Sequence, residues 1–190
     1  MSPLDDPAIR KALLACLSEV QGLWIREEMP IWRSIVDVLT ISDTEIHAYE
    51  IKSDVDSLTR LQKQMESYRQ TCDRVTLVVG GRHLDKAVAL LEPWVAVWVA
   101  QTVDTEVSIT EVRPGGVNPR VNWVPLFNLL WRREAQAICE KHGLARGVRG
   151  KSKPAIKKHL RLVHKFPLET LQKDVRDILR NRVWDGKRYT

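Results

Sequence analysis

Three side chains set the chemistry within reach of this sequence: Asp37, Glu50 and Lys52. Residues two apart in a strand share a face, so Glu50 and Lys52 point one way and Ile51 the other. Residues 35–41 and 45–52 read as two strands joined by a turn at Ser42-Asp43-Thr44. A two-residue turn, Asp43-Thr44, sets Asp37 directly opposite Glu50, with Cβ atoms about 4.5–5.5 Å apart. A three-residue turn sets it opposite Tyr49 instead. The first register gathers two carboxylates and one ammonium, a set suited to phosphodiester cleavage. Two carboxylates at that distance can share Mg²⁺, a hard cation with oxygen ligands at about 2.0–2.1 Å, and Mn²⁺ is expected to substitute. Such a cation lowers the pKa of a bound water and neutralises charge at the phosphorus. Lys52 can orient or activate that water. The plainer alternative is a hairpin with an ordinary cross-strand ion pair.

Arg60, Gln64 and Tyr68 follow at four-residue spacing and line one face of a helix predicted over residues 58–70. Turned toward the carboxylates, that face offers donors to a phosphate. Otherwise Tyr68 belongs to the core and Arg60 and Gln64 are solvated.

Asp37, Glu50-x-Lys52 and Gln64-x-x-x-Tyr68 together resemble the PD-(D/E)XK nuclease superfamily, and the Gln-x-x-x-Tyr extension is similar to that of its RecB-like and phage exonuclease branches. Tyr49, Lys52-Ser53-Asp54, Asp56, Leu58, Arg60-Leu61, Gln64, Tyr68 and Asp73-Arg74-Val75 resemble a bacterial and phage family of small members of that superfamily. The resemblance covers roughly residues 9–100. It implies a restriction-endonuclease-like core of helix, three strands, helix and strand. Asp37 and Glu50 are then metal ligands, Lys52 the catalytic lysine, and Gln64 and Tyr68 substrate-positioning residues. Val36 stands before Asp37 where the pattern has proline. The first helix usually supplies a further acidic ligand; Glu19 is the choice there, with Glu27 and Glu28 on the following strand as rivals.

The elements that must position these residues are legible from periodicity. Helix is predicted over residues 9–22, with Gly22 as its stop, and strand over 23–32. Val75 to Val79 form a continuous apolar run closed by Gly80-Gly81, as expected of a strand buried on both faces. A helix over 84–91, a strand over 95–100 and an edge strand over 105–112 follow. The order predicts an α/β three-layer sandwich around a mixed central sheet. After Pro125 the pattern is helical only, over 126–142, 154–164 and 168–182. A boundary near residue 124 divides a nuclease-like domain, 1–124, from a basic helical extension, 125–190.

Charge follows the same division. Residues 141–190 hold 15 Lys and Arg against 4 Asp and Glu, whereas the remainder holds 15 against 20. A basic tail on a weakly acidic body points to a polyanion partner, DNA first and RNA as an alternative, unless the tail is merely a solvated face. Glu134 to Leu160, with His142-Gly143-Leu144 and Gly150-Lys151 between two helices, looks like the SAP motif, a small DNA-binding unit, with a longer connector than usual. Arg146, Arg149, Lys151, Lys153, Lys157 and Lys158 can then meet phosphates. The other reading is a helical cap on the sheet.

The 190 residues and 44% apolar content allow a packed core and exclude disorder throughout. No apolar run has membrane-spanning length, and no secretory pattern opens the chain. Cys16, Cys72 and Cys139 are odd in number and far apart, which fits free thiols in the cytoplasm. Cys139, His142, His159 and His164 lack ordinary zinc spacing. Seven tryptophans can stack bases, although Trp94, Trp98 and Trp131 sit in apolar segments. The residues favour a Mg²⁺-dependent nuclease acting on DNA, which can pair as a homodimer. The rivals are an inactive nuclease-fold DNA-binding or adaptor protein, and a protein partner docking through its basic tail.

Overall fold

The computed structural model describes residues 3–183, so Met1, Ser2, Trp184 and the last residues lie outside it. The chain divides into two compact units, residues 1–121 and 122–190.

The first unit is an α/β three-layer sandwich on a six-stranded mixed sheet of order β1-β2-β3-β4-β5-β6. Helix α1, Asp6–Ser18, starts where Asp5 accepts a hydrogen bond from the Ala8 amide at 3.0 Å, with Pro7 in the first turn. These caps start it earlier than hydrophobic spacing predicts, and it ends four residues before Gly22. Strands β1 (Trp24–Ile31), β2 (Ser34–Ile41) and β3 (Ile46–Lys52) form an antiparallel meander. A 3₁₀ turn, Leu58–Arg60, leads into α2 (Leu61–Arg69). Strand β4 (Arg74–Gly80) pairs parallel with β3, and β5 (Ala96–Val103) parallel with β4. Helix α3 (Leu84–Leu90) joins those two, and β6 (Glu106–Arg113) closes the edge antiparallel to β5.

Ile9, Leu13 and Leu17 of α1 pack on Val38, Tyr49, Ile51 and Val78. Helix α2 lies on the other face, where Ser34 Oγ donates to Ser67 and the Tyr68 hydroxyl reaches Ile35. The two parallel crossovers advance in the same direction across the sheet, so their right-handedness sets α3 on the same face as α2.

The β2–β3 ladder runs Val38↔Tyr49 to Ile41↔Ile46, and Ser42 donates from its backbone to the Glu45 carbonyl at 3.0 Å. This is the two-residue-turn register, whose next position sets Asp37 against Glu50. The β1–β2 ladder is interrupted at that level: Glu27 pairs with Val38 and Met29 with Val36, while Glu28, with φ +51°, stands opposite Asp37 unpaired. Alternation fails across this break. Ser34 contacts α2, yet Val38, of the same parity, packs under α1.

The second unit is helical: α4 (Trp123–Asn128), α5 (Arg132–Lys141), α6 (Lys153–Lys158) continuing into a π-helical turn (His159–Val163), and α7 (Leu168–Asn181). The single helix predicted over 126–142 is therefore two. The Leu129 and Leu130 amides turn back on Leu126 and Phe127, and the Glu134 carboxylate accepts from the Trp131 amide at 2.6 Å, starting a new helix. Arg182 fills the break, donating to the Leu129 carbonyl at 2.9 Å and to Glu134 Oε1 at 2.7 Å. Asp174, 2% exposed, is held by Lys141 at 2.6 Å and His142 at 2.7 Å. Among the described residues no helix is long and apolar enough to cross a membrane.

Candidate functional site

Glu50 sits near the C-terminal end of β3 with no exposed surface. A bare carboxylate there would be costly, and three side chains meet it. Lys52 and Gln64 both donate to Oε1, and Tyr68 donates to Oε2. Lys52 arrives by strand alternation, two residues along β3, and is itself 6% exposed. Gln64 and Tyr68 arrive together because four residues make about one helical turn of α2. The Tyr68 hydroxyl also stands 3.0 Å from the Ile35 carbonyl oxygen on β2, so one side chain ties α2 to two strands.

Asp37 faces this group from β2, where the ladder has opened. Its Oδ2 accepts the Ile51 amide at 2.7 Å, filling a gap that strand pairing leaves. Arg10 of α1 reaches the same residue, with Nη1 donating to the Asp37 carbonyl at 2.9 Å and Nη2 3.5 Å from Oδ1. Arg10 is oriented in turn by Asp6, at 2.9 and 3.1 Å. The site thus sets two carboxylates against two cations.

Burial raises the proton affinity of both carboxyls. For Asp37 it outweighs the Ile51 amide, Lys52 and Arg10; for Glu50 it acts with the charge of Asp37, against Lys52 and Tyr68. The Gln64 amide oxygen is buried beside them with no hydrogen-bond partner among the described residues. Two crowded carboxylates and an orphaned amide oxygen form a hard, oxygen-rich donor set, the chemistry that suits a Mg²⁺-type cation with its waters.

Asp37, Glu50, Lys52, Gln64 and Tyr68 are therefore brought together. Arg60 is exposed and is the N-cap of α2, four residues before Gln64. Glu19 is not brought in. It is the exposed C-cap of α1, nine residues beyond Arg10, about 13 Å along the helix. Glu27 comes nearer, with Oε2 3.8 Å from Arg10 Nη1, and Glu28 is exposed opposite Asp37. Among the described residues no group of three or more His, Cys, Asp and Glu could hold a metal. Sequence reasoning missed Arg10, although the i,i+4 pair Asp6–Arg10 on the first helix was a usable signal.

Asp54 braces the floor beyond Lys52. It accepts the Leu4 amide at 3.0 Å and the Arg82 amide at 3.2 Å. Gly80 leaves room for it: a Cβ there would stand 2.3 Å from Asp54 Oδ1 and 2.9 Å from its backbone nitrogen.

In the second unit Arg146, Arg149, Lys151 and Lys158 are exposed and Lys157 is half-buried. Lys153 is engaged internally, donating to the Asn128 carbonyl at 2.8 Å beside the Phe127 ring, and burial lowers its pKa. His142 serves Asp174, and His159 lies 3.0 Å from the Leu144 carbonyl. Cys16 is exposed, Cys72 and Cys139 are buried, and all three thiols are free.

The chain is similar to a curated phage protein by sequence and to two solved structures. Protein cII of Enterobacteria phage P4 is 26% identical over 106 residues, which are 56% of this chain and 40% of that protein. The chain thus matches about two fifths of the length of this relative. A Silicibacter pomeroyi protein of unknown function matches 80% of this chain and 98% of its own at 18% identity, with a TM-score of 0.46. Pyrococcus furiosus SfsA, solved with Ca²⁺, matches 57% of this chain and 59% of its own at 18% identity and a TM-score of 0.32. At these scores neither structure bears on the fold or the site. The family described as bacteriophage P4 protein cII matches residues 4–188, nearly the whole sequence, and the chain belongs to that family.

Proposed function

We propose that the chain is a Mg²⁺-dependent nuclease of the PD-(D/E)XK type, hydrolysing phosphodiester bonds in DNA. One observation carries this reading: fully buried Glu50 is held by Lys52, Gln64 and Tyr68 and faced by Asp37 from the neighbouring strand. A soluble fold gains little by burying so many polar groups where apolar side chains would pack as well, so the cluster points to chemistry. Asp37 and Glu50 would hold the cation, which supplies Lewis acidity to water and to the phosphate when bound.

The protein's own groups do the rest. Lys52 orients the attacking water and offsets negative charge that grows on the phosphoryl oxygens. Gln64 and Tyr68 fix the rotamer of Glu50, and Arg10 does the same for Asp37. The exposed Arg146, Arg149, Lys151 and Lys158 of the second unit supply sequence-independent phosphate contacts. The test is incubation of labelled single- and double-stranded DNA with the protein in Mg²⁺, Mn²⁺ or EDTA. Cutting in either metal and none in EDTA supports the reading. A folded protein that binds DNA without cutting it in any of the three turns the reading to a non-catalytic DNA-binding protein.

A further inference from the structure

The β1–β2 hairpin closes in a two-residue loop: Ile31 pairs with Ser34, leaving Trp32 and Arg33 at the tip. Trp32 has φ +51° and Arg33 is not in that region. Glycine is the ordinary residue for a first loop position with positive φ, and a bulky side chain there is strained. Folding gains little in return, because Trp32 is 40% exposed, while each of the five other described tryptophans is buried or half-buried. The guanidinium of Arg33, itself exposed, lies 5.3 Å from the Trp32 ring centroid.

An exposed indole paired with a cation is a sequence-tolerant surface for a nucleobase, since every base has a π-face and a nearby phosphate. Its place in the fold makes this relevant. Three residues along the chain, the Ile35 carbonyl oxygen stands 3.0 Å from the Tyr68 hydroxyl, which contacts Glu50. Three residues span at most about 11 Å, which is about three stacked nucleotides of one strand.

We propose that Trp32 and Arg33 form a stacking platform for an unpaired nucleobase, so that the substrate carries a single-stranded or frayed stretch beside the bond cut. The proposal rests on the reading of Asp37, Glu50 and Lys52 as a phosphodiester site. In continuous duplex each base face is covered by its neighbours, and the platform has nothing to take up.

The test compares wild type, Trp32→Ala, Trp32→Phe and Trp32→Gly by fluorescence anisotropy in EDTA, with a labelled single-stranded oligonucleotide and a blunt duplex of the same sequence. Cleavage of both in Mg²⁺ is followed in parallel. Single-strand affinity is expected to fall about five-fold or more in the Ala and Gly variants, with duplex affinity unchanged and Phe close to wild type. Trp32→Gly relieves the backbone, so it should melt no lower than wild type, which separates lost binding from lost folding. Unchanged single-strand affinity in Trp32→Ala, or equal losses on both substrates, overturns the platform. If wild type cuts neither substrate, the nuclease reading fails, while the anisotropy comparison still decides the role of Trp32.

Discussion

Arg10 and Asp37 are joined twice across the layers of the first unit: the guanidinium donates to the Asp37 carbonyl at 2.9 Å and stands 3.5 Å from its carboxylate. The first helix thus brings a cation to the site. Asp6 fixes that cation, and the Ile51 amide fixes the other carboxylate oxygen. Asp37 is held on three sides before any ligand arrives.

Arg10→Ala takes one donor from the half-buried Asp37 carboxylate and one from its carbonyl, while the Ile51 amide stays on Oδ2. Cleavage should fall about ten- to a hundred-fold, the usual cost of a small misplacement. The Mg²⁺ concentration for half-maximal rate should rise. Titrating rate against Mg²⁺ in both proteins checks this, and a rate loss without change in metal dependence would remove Arg10 from the site.

Gly80→Ala forces a Cβ against the side chain and backbone of Asp54. Because the backbone cannot swing away as a side chain tip can, the variant should lose about 1–3 kcal/mol in urea unfolding.

His47, 3.7 Å away, and then Arg74, bridged at 2.7 Å, hold the Glu45 carboxyl below the ordinary value of 4.5 despite partial burial. The unfolded chain therefore takes up this proton first as pH falls. The stabilisation is complete above pH 4.5 and is lost as pH drops through the lower folded-state value. Thermal melts between pH 6 and pH 3 should show a shallower acid loss in Glu45→Gln than in wild type.

Much of the fold was legible in the sequence because it rests on strong local signals. The buried run at Val75–Val79, the turn at Asp43-Thr44 and the four-residue spacing of Gln64 and Tyr68 each specify geometry with few alternatives. The register that sets Asp37 against Glu50 was one of two that the sequence left open, and the pairing of Ser42 with Glu45 decides it. What escaped has tertiary causes. The break between α4 and α5 is filled by Arg182, about fifty residues away. Glu19 was chosen because the resemblance calls for an acid in the first helix, which does not say which end of that helix meets the site. Arg10 has no counterpart in the resemblance, which calls for an acid rather than a base from the first helix. The strained Glu28 and Trp32 carry no compositional mark, since neither is glycine, asparagine or aspartate.

Replacing Arg146, Arg149 and Lys151 together by alanine should leave the fold intact, because all three are exposed. If each meets one phosphate, the slope of log affinity for duplex DNA against log salt should become shallower by about 3. An unchanged slope would place the DNA contacts elsewhere.

The Asp37–Glu50–Lys52 cluster is expected to cleave phosphodiesters. The most direct measurement is cleavage of end-labelled DNA in Mg²⁺ and in EDTA by wild type, Asp37→Ala and Lys52→Ala, with circular dichroism and thermal melts confirming that each is folded. Wild type should cut only with metal present, and both variants should lose about a hundred-fold or more. Cutting that persists in both folded variants, or a folded wild type that binds DNA and never cuts it, would contradict it.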